Sequence, residues 1–276
     1  MSATVVNPQP DVIGNDLRRV AALSWTLATT EFKLRFYGSV LGYTWTLVRP
    51  FALFGVIYVV FALVVKVGAG VKHYPAYILL SMVLFQFTTG IVSGALTSLV
   101  NREQMLRKMR FPYVVIPLAV ILQATFDLAM TLTAVSIFIV AVGVYPTWSW
   151  FELFPLIGVL VLFGSGLGLL LSVLYVRFRD MAPIWDVAAQ MLFYASPVLY
   201  VATQIPASWQ RPLLANPIGA VLTEMRHAVV DPTAAGAAEV IGGAERLLIP
   251  AGIVVGFFAL GVWAFHREAP RVAENL

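Results

Sequence analysis

Cysteine is absent from the 276 residues, which excludes disulfides and thiolate chemistry and leaves the compartment open. Charge is also scarce: 12% of the residues are Asp, Glu, Lys or Arg, while 60% are apolar. A soluble domain carries about 25% charged residues, so this is an integral membrane protein, as the mean hydropathy of +0.86 also indicates. No Gly-Lys dipeptide occurs, so the chain has no phosphate-binding P-loop. The three histidines, His73, His227 and His266, are scattered and lack metal-ligand spacing. No paired acids or His–acid constellation sits at one membrane face, which argues against an embedded glycosyl or acyl transferase. No internal repeat is evident, which weakens a carrier built from paired halves. The first 46 residues lack an apolar run followed by a small-residue cleavage site. No signal peptide is therefore expected, and the first span directs insertion.

Long apolar runs are what the sequence does contain. A membrane helix needs ~20 mostly apolar residues, and six stretches qualify: 47–67, 75–100, 113–143, 153–176, 183–201 and 247–265. Alternating strands of barrel length are missing. The expected fold is an all-α membrane protein with six transmembrane helices. Residues 1–46 are read as a cytoplasmic tail and interface helix, and 47–201 as spans one to five. Residues 202–246 form an outer loop with short amphipathic helices, and 247–276 the last span and a cytoplasmic C-terminus.

Residues 16–37 fit a helix lying in the membrane plane. Leu17, Val20, Leu23, Trp25, Leu27, Ala28, Phe32 and Leu34 share one broad face, and Arg19, Thr26, Thr30 and Lys33 the other. Glu31 and Arg35 interrupt the apolar face. Their spacing allows an i, i+4 ion pair, and Arg35 alternatively faces a cavity at the inner surface. Farther along, Asn216-Pro217 caps a short amphipathic helix at 217–230. Ile218, Val221, Leu222, Met225 and Val229 repeat on it at helical spacing, and 232–243 reads as a flexible turn.

Charge sets the orientation. Four of the twelve residues from Asn101 to Pro112 are basic, and apolar spans leave both ends. Such a segment is retained on the cytoplasmic side. With both termini inside, Arg18, Arg19, Lys33, Arg35, Arg49, Arg102, Arg107, Lys108, Arg110, Arg177, Arg179, Arg267 and Arg271 are inner. Lys66, Lys72, Arg211, Arg226 and Arg246 are outer, a division of 13 against 5. The net charge of +4 and pI near 9.4 thus reflect the inner leaflet and not nucleic acid.

Several residues stand out within the spans. Asp127 lies near the middle of the third, with Gln123 on the same face. An acid at that depth is costly and faces the bundle interior or water. It is either a hydrogen-bond anchor to a neighbouring helix or subunit, or a proton relay. Gly164 and Gly168 form a small-xxx-small pair suited to close intrachain packing. Tyr43, Trp45, Tyr74, Tyr77, Trp148, Trp150, Tyr175 and Trp185 sit near span ends, as an aromatic belt would. Tyr58, Phe85, Phe87, Phe193, Tyr194 and Tyr200 are candidates for lining a pathway, since aromatic rings pack against the C–H faces of sugars.

The run from Arg35 through Tyr37, Ser39, Leu41 and Gly42 to Trp45, closing at Pro50, resembles the start of the first span in type-2 ABC exporter permeases. The closer likeness is to the polysaccharide exporters of the Wzm and teichoic-acid permease group. The loop ending Lys108-Met109-Arg110-Phe111-Pro112, then Pro117, is similar to their loop between the second and third spans. Val176 to Asp180, Ser196 to Tyr200, and Asn216-Pro217 with Arg226 resemble later blocks, and Asp127 falls where such sequences carry an acid. The blocks occur in order over 35–230. The resemblance implies a homodimer joined to two copies of a separate ABC nucleotide-binding subunit. It implies export of a lipid-linked (polyprenyl diphosphate) glycan such as O-antigen, teichoic acid or cell-wall galactan across a bacterial cytoplasmic membrane. ATP and Mg would bind the partner subunit, and this chain would bind no cofactor or metal and have no catalytic residues. Glu103, Arg107, Lys108 and Phe111 would contact the ATPase. Arg35, Tyr37 and Arg49 would receive the substrate at the inner interface. A drug or small-lipid exporter of the same superfamily, or a proton-coupled carrier, remain the alternatives.

Overall fold

A computed structural model of the chain describes residues 17–35, 42, 44–104 and 112–275, with side chains described as far as 268. Its elements are helical, as they must be where apolar runs lie in lipid and each segment has to satisfy its own backbone groups. Helix α1 is Leu17–Arg35. Helix α2 is Thr44–Tyr58, continued by the π turn Val59–Val64. Helix α3 is Tyr74–Asn101, α4 is Val115–Ala141, and α5 is Leu153–Arg177. Then come α6 (Met181–Ala195), α7 (Ala207–Ala215), α8 (Pro217–Met225, continued by the π turn Arg226–Val230), α9 (Ala237–Ile241) and α10 (Leu248–Asn275).

Among the described residues, five helices are long and apolar enough to cross a membrane: Thr44–Val64, Tyr74–Asn101, Val115–Ala141, Trp148–Arg177 and Ala244–Glu268. The centre of the bundle is α3, buried over 72% of its apolar window against 11% for α2. Helix α5 packs on it through alternating glycines. Gly164 lies against Ile91 and Thr88, and Gly168 against Ala95 and Val92 of α3. Gly166, on the opposite side of α5, lets the backbone of Phe257 and Phe258 in α10 approach, with Gly261 facing it. The glycine run therefore serves two neighbours, each reached without a Cβ in the way.

The stretch 183–201 differs from expectation. It holds the helix α6 of 15 residues, ~22 Å long at 1.5 Å per residue, too short to cross alone. It stops at Ser196 (φ −109°, ψ 150°), because the residue before a proline is driven out of the helical region. Residues 196–201 continue in the direction of α6, antiparallel to α3. Trp185 Nε1 donates to Ser93 Oγ at 2.8 Å, the Phe193 ring meets Phe85, and Pro197 lies beside Tyr77. Non-helical backbone at this depth is tolerated only when buried in protein. Ser196, Val198 and Leu199 are buried, and two tyrosines supply the missing donors. The Tyr77 hydroxyl donates to the carbonyls of Pro197 and Tyr200, and the Tyr74 hydroxyl to Leu199 at 2.5 Å. Tyr74, Tyr77 and Trp185 thus point inward, not into an aromatic belt.

Helix α8 matches its sequence pattern. Asn216 Oδ1 accepts from the Ile218 amide at 3.1 Å, and Ile218, Val221, Leu222, Met225 and Val229 are all buried. The stretch 232–243, read as a flexible turn, instead contains α9. That helix begins where Glu224 Oε2 accepts from the Ala237 amide at 2.7 Å and ends at Gly242, whose φ of +88° suits glycine. Five residues give a helix too short to leave a periodic signal.

Helix α1 buries the smaller members of its apolar face and leaves the larger ones outward. Val20, Ser24 and Ala28 are buried, whereas Leu17, Trp25 and Leu34 are exposed. Small residues let α1 approach closely, and the Ser24 hydroxyl is satisfied by the Val20 carbonyl at 2.8 Å.

Candidate functional site

Helix α3 ends at Asn101, and Arg102 caps it at the root of the basic segment. From there Arg102 forks onto α1. Its Nε donates to Glu31 Oε1 at 2.8 Å and a terminal nitrogen donates to Oε2. One turn farther along α1, Arg35 donates to Asp127 Oδ2 at 2.6 Å. The side chains of Arg35 and Asp127 are 45% and 25% exposed. Asp127 Oδ1 is buried and has no hydrogen-bond partner among the described residues.

The expected Glu31–Arg35 pair is therefore replaced by two longer-range pairs. Arg102 offers Glu31 a bidentate geometry that an i, i+4 neighbour does not improve on. A half-buried carboxylate in a span needs a counter-ion, and Arg35 supplies one to Asp127. No local pattern marks Arg102 as the partner of Glu31, because basic residues in that segment read as an undifferentiated run. Around these pairs, Val20 of α1 belongs to one apolar cluster with Leu99, Tyr113, Val115 and Ile116, which flank the basic segment on both sides. Trp25 and Phe32 each meet Phe126 edge-on, with centroids at 5.2 and 5.9 Å.

Of the other residues singled out at this end, Glu103 is half-buried and Arg49 is exposed near the start of α2. Tyr37, Arg107, Lys108 and Phe111 lie outside the described residues, as does Tyr43. Arg177 and Arg179 are here too, each over an aromatic ring, Phe178 and Tyr175 respectively, at 5.4 and 5.2 Å.

The pathway candidates divide into groups. Phe85 meets Phe193 at 5.2 Å, Phe193 meets Tyr194 at 5.3 Å, and the Tyr200 hydroxyl donates to the Tyr194 carbonyl at 3.0 Å. These four form a continuous row from the buried Phe85 to the exposed Tyr194. Tyr194 closes a stripe of exposed apolar side chains along α6 with Ile184, Val187 and Met191. Phe87 is buried in the main core, away from this stripe. Tyr58 belongs to α2, where it stacks near Phe54 and lines an open groove of about 330 Å³ with Lys66, Gly68 and Tyr74.

At the opposite end of the bundle a polar cluster joins the α2–α3 connection to the segment after α8. Asp231 Oδ1 accepts from the Thr233 amide and hydroxyl at 3.1 and 2.6 Å, with Lys72 at 4.0 Å from it and Arg226 at 3.9 Å from Oδ2. Burial alone would raise the Asp231 carboxyl. The Thr233 hydrogen bonds and the two cations outweigh it and hold the group below the ordinary carboxylate range. Ser149, from the α4–α5 connection, donates to the Ala228 carbonyl at 2.7 Å and completes this end. Among the described residues no group of three His, Cys, Asp or Glu side chains converges as a metal site would.

A family model described as ABC-2 type transporter matches residues 22–229, from α1 through α8. The chain is 26% identical over 208 residues to a protein of Klebsiella pneumoniae named O-antigen export system permease protein RfbA, covering 75% of this chain and 80% of that one. It is 28% identical over 211 residues to a Myxococcus xanthus protein of the same name, covering 75% and 80%.

Proposed function

The chain belongs to the ABC-2 type transporter family, and from that premise we propose that it is the membrane subunit of an ATP-driven exporter of a polysaccharide. The observation that carries the reading is the extent of the match. It runs from α1 through the buried α8, and relatives that match over a similar length are named O-antigen export permeases. The chain has no P-loop of its own, so hydrolysis falls to a separate nucleotide-binding subunit.

The finer reading follows from charge and chemistry. The basic segment between α3 and α4, with Glu103, Arg107, Lys108 and Phe111, is the contact for that subunit on the cytoplasmic side of the bacterial inner membrane, and both termini lie on the same side. The substrate is a glycan on a polyprenyl diphosphate. Its diphosphate is received at the inner interface by Arg35 with Tyr37 and Arg49, since a guanidinium matches phosphate oxygens in a forked geometry. The apolar stripe of α6, ending at Tyr194, faces a second copy of the chain across the glycan path. Depleting the protein and identifying what accumulates tests this. A lipid-linked glycan retained on the cytoplasmic side is the expected result, and unaltered glycan export would refute it.

A further inference from the structure

We propose that the groove between α2 and α3 holds an acyl chain of a phospholipid with an anionic headgroup, and that Lys66 takes its phosphate. The inference needs only that the chain spans a membrane and does not depend on what it exports.

The groove, of about 330 Å³, lies at the end of the bundle opposite the basic segment. Tyr58, Ala62 and Leu63, from the last turns of the first span, form one wall. Here the Val65 amide donates to the Val60 carbonyl and the Val67 amide to that of Phe61, each at 2.9 Å. These bonds reach five and six residues back, where an α-helix reaches four, so the turn is widened. The chain then bends at Lys66, whose φ is +59°. Gly68 leaves room for the Tyr74 ring, which a Cβ at that position would enter. Tyr74 is fixed in turn by the bond from its hydroxyl to the Leu199 carbonyl. Gln204 Nε2 donates to the Val67 carbonyl at 3.0 Å and ties down the connection. The walls are therefore set before anything enters.

Polarity changes in one direction along the groove. The walls that come from the span are apolar. The charged side chain, Lys66, stands where the chain leaves the span, and it is exposed. Among the described residues no Asp or Glu pairs with it. A phospholipid has the same order, with hydrocarbon inward and phosphate at the interface. A lysine near a helix end reaches to that level while its stem lies along apolar surface. The apolar walls alone do not select a lipid, because lipid tails are as apolar as the walls. Selection comes from the headgroup, through an unpaired cation next to an anionic phosphate. A free anion would use Lys66 and ignore the apolar walls, and a neutral lipid would do the reverse. An anionic lipid uses both.

The test places the full chain in phosphatidylcholine vesicles that contain a trace of one probe lipid. The probe is phosphatidylglycerol or phosphatidylcholine with a photoactivatable group on its acyl chain, and cross-linked residues are mapped by mass spectrometry. Residues 58–75 should be labelled about fivefold more by the phosphatidylglycerol probe, the preference that one lysine near an anionic headgroup confers. Lys66→Gln should bring that labelling down to the phosphatidylcholine level and leave the phosphatidylcholine labelling unchanged. High salt should abolish the preference in the wild-type protein, so the result does not hang on the variant inserting. Equal labelling of the wild type by the two probes overturns the proposal, as does a preference that survives Lys66→Gln. Loss of the preference on adding glycerol phosphate also overturns it, since the site would then take a free anion. Absence of labelling at 58–75 by either probe overturns it too, and would mean that a second copy or another protein covers the groove.

Discussion

Arg35 of α1 and Asp127 of α4 form an ion pair at 2.6 Å, joining a helix outside the central bundle to the middle of a span. Neither is fully buried. Removing one partner should cost more than the ~1 kcal/mol of an exposed pair and less than the ~3–5 of a buried one. Arg35→Ala and Asp127→Ala should each lower the unfolding temperature in detergent, and the double variant should lose less than the sum of the two. Strict additivity would show that the two side chains do not act as a pair in solution. Arg35→Lys should preserve most of the stability but impair export, since the ammonium cannot reproduce the forked contact with phosphate.

The glycines of α5 and α10 make a second prediction. A Cβ on Gly166 would run into the backbone of Phe257 and Phe258, while one on Gly158 or Gly256 meets nothing within 4 Å. Gly166→Ala should destabilise by about 1–3 kcal/mol through overpacking. Gly158→Ala and Gly256→Ala should be neutral or gain up to about 1 kcal/mol from helix propensity. Thermal unfolding of the three purified variants decides it, and equal effects at all three sites would contradict the observed packing of α5 on α10.

Features that follow from short-range chemistry were readable in the sequence. The long spans come from uninterrupted apolar runs, α8 from its Asn216-Pro217 cap and spacing, and the close approach at Gly164 and Gly168 from the absence of side chains. What escaped is set by partners far along the chain. Residues 183–201 look like one span, and nothing local reveals that Tyr77, 120 residues earlier than Pro197, donates to the carbonyls freed where the helix stops. Glu31 has a plausible local partner in Arg35, yet its partner in the fold lies 71 residues away and that of Arg35 lies 92 away. Which members of the apolar face of α1 are buried was not legible for a related reason. Hydropathy rewards Trp25 and Leu17, whereas close packing selects Ser24 and Ala28. Of the candidate site, the types of residue at the basic end were legible and their pairing was not.

The polar cluster around Asp231 gives a pH dependence. Its carboxyl is held below the ordinary range in the fold, so the unfolded chain takes up the proton first as pH falls. The stabilisation is fully present above the ordinary carboxylate value of about 4 and is lost as pH drops through the lower folded value. Protection of the 226–234 amides, taken relative to the intrinsic exchange rate at each pH, should therefore hold from neutral pH to about 4 and fall only below it. Asp231→Asn should give faster exchange across the whole range, since the charge that Lys72 and Arg226 face is gone. Protection that is already lost between about pH 7 and 5 would mean another group controls this end.

The basic segment between α3 and α4 carries the last prediction. With no P-loop in the chain, the purified protein should hydrolyse no ATP and should acquire transport only when joined by a nucleotide-binding subunit. Glu103 and Arg107 carry opposite charges four residues apart in this segment. Interfaces of this size depend on a few charge-assisted contacts and a buried aromatic anchor, for which Phe111 is the candidate. Reversing both charges, Glu103→Lys with Arg107→Glu, keeps the net charge of the segment and hence its cytoplasmic retention, but inverts the pattern presented to the partner. The variant should insert normally and lose either the partner or the coupling of hydrolysis to export. A Phe111→Ala variant should weaken the complex by roughly 2 kcal/mol or more if the ring is a true anchor. Co-purification with the ATPase subunit, followed by hydrolysis and export assays on the same vesicles, separates loss of docking from loss of coupling. Wild-type complex formation and export by both variants would remove this segment as the docking site.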